Sequence, residues 1–298
     1  MLENNSIGME PVSLDTATGP IKYTLKSDLL FHYVMQKSTK ALMGLVGALK
    51  GIKPEDIKSI EILNPIELNA NLKETVMDLK LMMNSGEILN IEIQTYFDKN
   101  WEKRSILYLC RAFDSIKQGE DYTKLKPTTH FCITDKDLLS GEPEFYSQHM
   151  LLNVKTHAPY TKLIGLNMLQ LNHIELATGE DEANNLVYWA KLFNATTWEE
   201  FKALAENNPE VREVGDMVLT LNTDNQAAEI LEGQRRYREM LATARAEGVQ
   251  ETEEKYEKII ADKDAELAEK DATIAAEVAK NAALQAEIER LKGKSSET

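Results

Sequence analysis

The chain has 298 residues, 43% of them hydrophobic and 28% charged, with a formal net charge of −15. This is enough chain for one domain of ordinary size plus a further segment. The acidic excess opposes tight, general binding to a phosphate backbone. Two cysteines cannot build a disulfide scaffold, and no run reaches the roughly 18 apolar residues of a membrane span. Residues 226–298 hold 12 Lys/Arg against 17 Asp/Glu, so the tail carries −5 and residues 1–225 the remaining −10. Cys110 and Cys132 lie in apolar runs and read as small buried hydrophobes in a reducing compartment. The first residues, Met-Leu-Glu-Asn-Asn-Ser, have no basic or apolar region of the secretory kind, which places the expected location in the cytoplasm.

In chain order, residues 1–20 are polar and aperiodic and read as a disordered N-terminal tail. From Ser27 to Leu49, apolar residues recur three and four apart, a helical pattern that Ser27 or Asp28 would cap and Lys50-Gly51 would close. A short strand near 59–63 follows, then "TVMDLKLMM" and "EILNIEIQTYF" separated by Asn84-Ser85-Gly86, a hairpin signal. After Asp98 the pattern is helical to about Gly119. Strands are expected at 128–135, 144–153 and 167–176, and helices from Asp181 to about Asn222, where Thr197 and Glu200 fit a capping box.

The stretch "ILNIEIQ", residues 88–94, alternates strictly. Leu89, Ile91 and Ile93 share one face, and Asn90, Glu92 and Gln94 the other. Paired residues of a hairpin share a face, so Asp78 lies opposite Glu92 only if paired numbers sum to 170. That register pairs Met83 with Glu87, Lys80 with Asn90 and Val76 with Gln94, around a three-residue loop with Gly86 at the left-handed position. Asp78 and Glu92 then form a carboxylate pair of the type hard cations prefer, with the Ile93 carbonyl as a further oxygen ligand and Gln94 placed to orient a water. On spacing alone, a plain polar hairpin face explains the same residues.

From about Gln226 the composition is nearly all Ala, Glu, Lys and Arg, with "KDAELAE" echoed by "KDATIAA". Ile260, Leu267, Ile274, Asn281 and Ile288 stand seven apart, the spacing of a coiled-coil core column. A long solvated helix without a partner is the alternative. The five histidines show no zinc spacing, neither cysteine belongs to a CxxC, and neither a Gly-rich phosphate loop nor GxSxG is present. Tyr108, Tyr122 and Tyr160 read as packing residues.

The order of these pieces resembles one family. "SDLLFHYVM", "NPIE", "VMDLKLMMNSGEILNIEIQ", "KRSILYLCRAFDSIKQGEDYTKLKPTTHFCITD", "LQLNHIEL" and "YWAKLF" are similar, across roughly residues 22–250, to the recombination-promoting nuclease/transposase family, a branch of the PD-(D/E)XK nuclease superfamily. The resemblance implies that Asp78 and Glu92 are the acidic catalytic residues. It puts Gln94 where the superfamily usually has Lys, makes Asp28 an acid near the metal, and matches Arg104 to a basic residue that touches phosphate. His32 stands where the family often has Lys.

The expected fold is an α/β, restriction-endonuclease-like core over residues 21–177, a helical extension over 178–225 and a C-terminal coiled coil over 226–298. The expected function is a Mg²⁺- or Mn²⁺-dependent DNA endonuclease tied to recombination, mobile elements or defence. Asp28, Asp78, Glu92 and Ile93 would hold metal, and the protein would dimerise through the coil. The competing expectation is a catalytically silent protein that assembles through that coil.

Overall fold

The structure is a computed structural model that describes residues 13–65, 78–117, 119–139, 141–206 and 208–295. The expected strand residues 75–77, the Val76–Gln94 pairing and the first 12 residues lie outside them. Contacts divide the chain into two units, Met1–Gln234 and Arg235–Thr298.

The first unit is mixed α/β. Its six strands are β1 (Ile60–Ile62), β2 (Leu79–Met83), β3 (Ile88–Gln94), β4 (Thr128–Thr134), β5 (Tyr146–His149) and β6 (Ile164–Gln170), in sheet order β1-β2-β3-β4-β6-β5. β2 and β3 form the expected hairpin, with Leu79 opposite Ile91 and Lys80 opposite Asn90. Met83 N–H donates to the Glu87 carbonyl at 2.9 Å, and Gly86 takes φ 84°. That left-handed backbone is what glycine tolerates without cost. Parallel β3–β4 and β4–β6 ladders place Glu92 level with Cys132 and Met168.

The helical pattern over 27–49 is two helices, α1 (Asp28–Lys37) and α2 (Thr39–Lys50). Ser38 breaks it by taking an extended conformation and accepting from Ala41 N–H, which caps α2. α3 (Trp101–Phe113) starts where the Asp98 side chain and carbonyl accept from Asn100 and Trp101 N–H, and it is shorter than its sequence pattern. Four further helices follow: α4 (Gly179–Ala183), α5 (Leu186–Asn194), α6 (Trp198–Ala205) and α7 (Pro209–Thr223). The Thr197–Glu200 capping box is present, and Thr178–Asp181 forms a second.

The two faces of the sheet are covered differently. Leu89, Ile91, Ile93, Phe131, Ile133 and Leu169 join the main core with residues of α1, α2, α5, α6 and α7. The opposite face meets α3, where Trp101, Cys132, Leu138 and Met168 form a small second cluster. Every residue of β3 is therefore buried. The polar face of "ILNIEIQ" is not a wet hairpin face: Asn90, Glu92 and Gln94 are 5%, 3% and 0% exposed.

Four further expectations change. Leu14 and Ala17, in the segment read as a loose tail, are buried in the main core, and Pro20 bridges Thr197. Residues of 178–225 share that core, which continues to Ala227 and Leu231, so the first unit ends near Gln234 instead of Asn225. Cys110 is exposed on the outer side of α3, while Cys132 is buried as read. The segment 167–176 is strand only to Gln170, beyond which Leu171–Leu176 is a 3₁₀ turn.

α8 (Asn225–Ser295) is one helix of 71 residues. In its C-terminal part Ile260, Leu267, Ile274 and Ile288 are 58%, 57%, 59% and 50% exposed. Among the described residues no helix is long and apolar enough to cross a membrane.

Candidate active site

The buried polar face of β3 is lined from three directions. β3 supplies Asn90, Glu92 and Gln94, and the same face of β4 supplies His130 through the Asn90–His130 register. α3 supplies Arg104 one turn past its start. Asp78 immediately precedes β2, where Asn64 accepts from the Lys80 N–H at 2.8 Å and donates to the Asp78 carbonyl. The register of the hairpin places Asp78 level with Glu92.

The Asn90 amide joins this group. Its Nδ2 donates to Asp78 Oδ2 at 3.2 Å and lies 3.0 Å from His130 Nδ1. With Nδ1 accepting, the imidazole proton sits on Nε2. That nitrogen is 3.7 Å from Glu92 Oε2. Burial, reinforced by the Arg104 charge, lowers His130 to about 4, so the ring is neutral at pH 7.

Glu92 carries the strongest electrostatic signature. Burial and then the neighbouring Asp78 charge raise it to about 8, with Arg104 opposing and Asp28 and Asp98 adding to the rise. Asp78 is raised for the same first reason, burial. The Asn90 hydrogen bond and Arg104 oppose it, and Asp28 adds to it. Asp28, in the first turn of α1, therefore acts on both carboxylates.

Arg104 turns inward. Its Nη2 pairs with Glu92 Oε1, its Nη1 donates to the Tyr96 hydroxyl at 2.7 Å, and Asp98 Oδ2 is 3.6 Å away. Its guanidinium lies 5.1 Å from the Tyr108 ring centre and 5.9 Å from that of Tyr96. Tyr108 is thus part of the site wall, where it also meets His130 edge-on.

Two acceptors are left over. Glu92 Oε2 and Gln94 Oε1 are buried without a hydrogen-bond donor among the described residues. Gln94 Nε2 donates to the Tyr96 carbonyl at 2.8 Å, which fixes the orientation of the amide and leaves Oε1 as the vacant end. A buried acceptor without a donor costs about 1–3 kcal/mol. Crowded carboxylates with unfilled oxygens fit a hard cation, which offsets their repulsion. Among the described residues no three His, Cys, Asp or Glu are gathered closely enough to hold a metal alone. The donor set that fits is the smaller one typical of Mg²⁺, one or two carboxylates completed by other oxygens. The Ile93 side chain lies in the main core, so only its carbonyl is available to that set.

A family model described as PD-(D/E)XK nuclease family transposase matches residues 25–247. The chain belongs to this family. No curated protein and no solved structure matches it. The matched span of this PD-(D/E)XK family member begins before α1 and ends within α8, so it contains the whole six-stranded sheet and every residue of the site.

The structure brings Asp78, Glu92, Gln94 and Arg104 together around β3 and sets Asp28 within their electrostatic reach. Sequence reasoning missed Asn90 and His130 as site residues. The alternation of "TTHFCITD", which puts Thr128, His130, Cys132 and Thr134 on one face, was the signal that could have found His130.

Proposed function

We propose that this PD-(D/E)XK family member is a metal-dependent DNA endonuclease with a restriction-endonuclease-like core, acting in recombination, mobile-element movement or defence. The observation that carries the reading is the buried Glu92 carboxylate level with the part-buried Asp78, where Glu92 Oε2 and Gln94 Oε1 have no donor among the described residues. Asp78, Glu92 and the Ile93 carbonyl would hold Mg²⁺ or Mn²⁺, with Asp28 as an accessory acid nearby. A bound ion of this kind supplies Lewis acidity, a water of lowered pKa and charge neutralisation at a phosphoryl group.

The chain's own residues do the remainder. Gln94, anchored through its Nε2, presents Oε1 to orient a water. Amide groups neither donate nor accept charge at pH 7, so Gln94 positions without acting as base. The neutral His130 ring holds its Nε2–H towards Glu92 and, with Asn90, keeps the two carboxylates in place. Arg104 partly neutralises Glu92 and, with its side chain 23% exposed, lies at the rim where a DNA phosphate would arrive.

The heptad column of α8 is the reason for proposing a coiled-coil homodimer. Ile260, Leu267 and Ile274 stay exposed in the single chain, and a second copy would bury them. Two nuclease units on one coil suit cleavage of two strands.

A second reading, a catalytically silent assembly protein, draws on the Arg104–Glu92 pair, which already occupies one ligand oxygen. Divalent-metal-dependent nicking of plasmid DNA, compared between wild type and Asp78→Ala, separates the two.

A further inference from the structure

Between β5 and β6, residues 150–163 leave the edge of the sheet as a finger. The finger is built from its own bonds. Leu152 and Pro159 form an antiparallel bridge, Asn153 N–H donates to the Ala158 carbonyl at 2.8 Å, and Tyr160 N–H donates to the Leu151 carbonyl at 2.9 Å. The Asn153 side chain closes the tip by accepting from Lys155 and Thr156 N–H at 2.9 and 3.0 Å. His157, at φ 55°, completes the turn.

Every residue from Gln148 to Tyr160 is exposed, and Val154 and Tyr160 are 90% and 83% exposed. Tyr160 therefore does not pack, contrary to its sequence reading. Apolar side chains gathered on an ordered projection signal a partner.

The chemistry of the finger selects that partner. From Phe145 to Ile174 there is no Asp or Glu, in a chain that carries 49 of them. Lys155 and Lys162 flank the apolar tip, and His149 and His157 add polar rings. Lysines that neutralise phosphates, a tyrosine ring that stacks on a base and an apolar wedge are the parts of a nucleic-acid contact. We infer that the β5–β6 finger is a DNA-binding element that grips a duplex outside the cleavage site.

Placement agrees. The base of the finger, at Ile164, is level with Thr128 and Ile88. Glu92 lies four residues further along β3, two strands across. At strand spacings this is roughly 16 Å, or about five base-pair steps of DNA. The inference rests on the proposal that the protein acts on DNA.

The test is fluorescence anisotropy of the full chain with a fluorescein-labelled duplex of about 30 base pairs in EDTA, across a salt series. Wild type is compared with Lys155→Gln/Lys162→Gln, with Val154→Ser/Tyr160→Ser and with Asp78→Ala. The lysine variant is expected to bind about tenfold more weakly and to lose about 2 from the slope of log K against log salt. The apolar variant is expected to bind about tenfold more weakly with the slope kept. Asp78→Ala should not bind more weakly than wild type, and thermal unfolding should be unchanged in both finger variants, whose altered side chains make no core contact. Wild-type affinity and slope in both finger variants would overturn the finger's role and leave the nuclease reading standing. So would an unchanged DNA affinity with a lower sedimentation mass, which would make the finger a contact between copies. Absence of duplex binding by the wild type would remove the nuclease reading and the finger's role together.

Discussion

Glu92 and His130 face each other across the parallel β3–β4 pair, with carboxylate Oε2 and imidazole Nε2 3.7 Å apart, both buried and neither otherwise hydrogen-bonded at those atoms. Their titrations run in opposite directions for one reason. Burial opposes charge, so it raises the acid and lowers the base.

Glu92 gives a stability prediction with a definite sign. Its folded pKa of about 8 lies above its ordinary value of 4.5. The stabilisation from its bound proton is complete below about 4.5 and is lost as pH rises towards 8. Glu92→Gln keeps the neutral form at every pH. In EDTA, the melting temperature of the variant minus that of wild type should grow by at least about 3 °C between pH 5 and pH 8. A difference independent of pH would contradict the burial of the Glu92 carboxylate.

Arg104 is the protein's own counter-charge to Glu92. Removing it leaves a buried acid with no cation, and the buried pairs for which this has been measured lose about 3–5 kcal/mol. With Arg104 partly exposed, the lower end is expected for Arg104→Ala in urea unfolding. Glu92→Gln/Arg104→Ala should recover more than about 1 kcal/mol of that loss in a double-mutant cycle. Simple additivity would show that the two side chains do not act as a pair.

The N-terminal segment is part of the fold. A methyl group on Gly215 of α7 would stand 2.6 Å from Leu14 Cδ2 and 2.9 Å from Phe201 Cε1. Gly215→Ala should therefore cost about 1–3 kcal/mol through overpacking, despite alanine's better helix propensity. Chemical denaturation measures it, and an unchanged or raised stability would place Leu14 elsewhere.

The proposed coiled coil predicts association. Leu267→Lys/Ile274→Lys in the full chain puts charge into the heptad column, and sedimentation equilibrium should change from dimer to monomer while the first unit keeps its melting transition. A variant that sediments as wild type would move the interface off this column.

The sheet register was legible because parity is rigid: side chains alternate, so a three-residue turn at Asn84-Ser85-Gly86 leaves one pairing, with Leu79 opposite Ile91. Helix ends marked by local chemistry were legible because one residue decides them, Gly51 by its left-handed backbone and Thr197 by its capping box with Glu200. What covers a face was not. Periodicity groups Asn90, Glu92 and Gln94 but says nothing of α3 lying over them, and it could not distinguish Cys110, which points outward from α3, from Cys132, which is buried beneath it. Ser38 broke a helix whose apolar spacing runs straight through it, because a side-chain cap outweighed the pattern. Asn90 and His130 were hidden because they are joined by a parallel pairing between strands far apart in sequence.

The proposed nuclease activity depends on Asp78 and Glu92 acting together with a metal ion. The most direct measurement is nicking of supercoiled plasmid by purified full-length protein with Mg²⁺, with Mn²⁺ and with EDTA, for wild type, Asp78→Ala and Glu92→Gln. Wild type should nick with either ion and not in EDTA, and each variant should lose at least about a hundredfold in rate, a loss of roughly 2.7 kcal/mol in transition-state stabilisation. Equal rates in wild type and Asp78→Ala, or wild-type nicking that persists in EDTA, would contradict it.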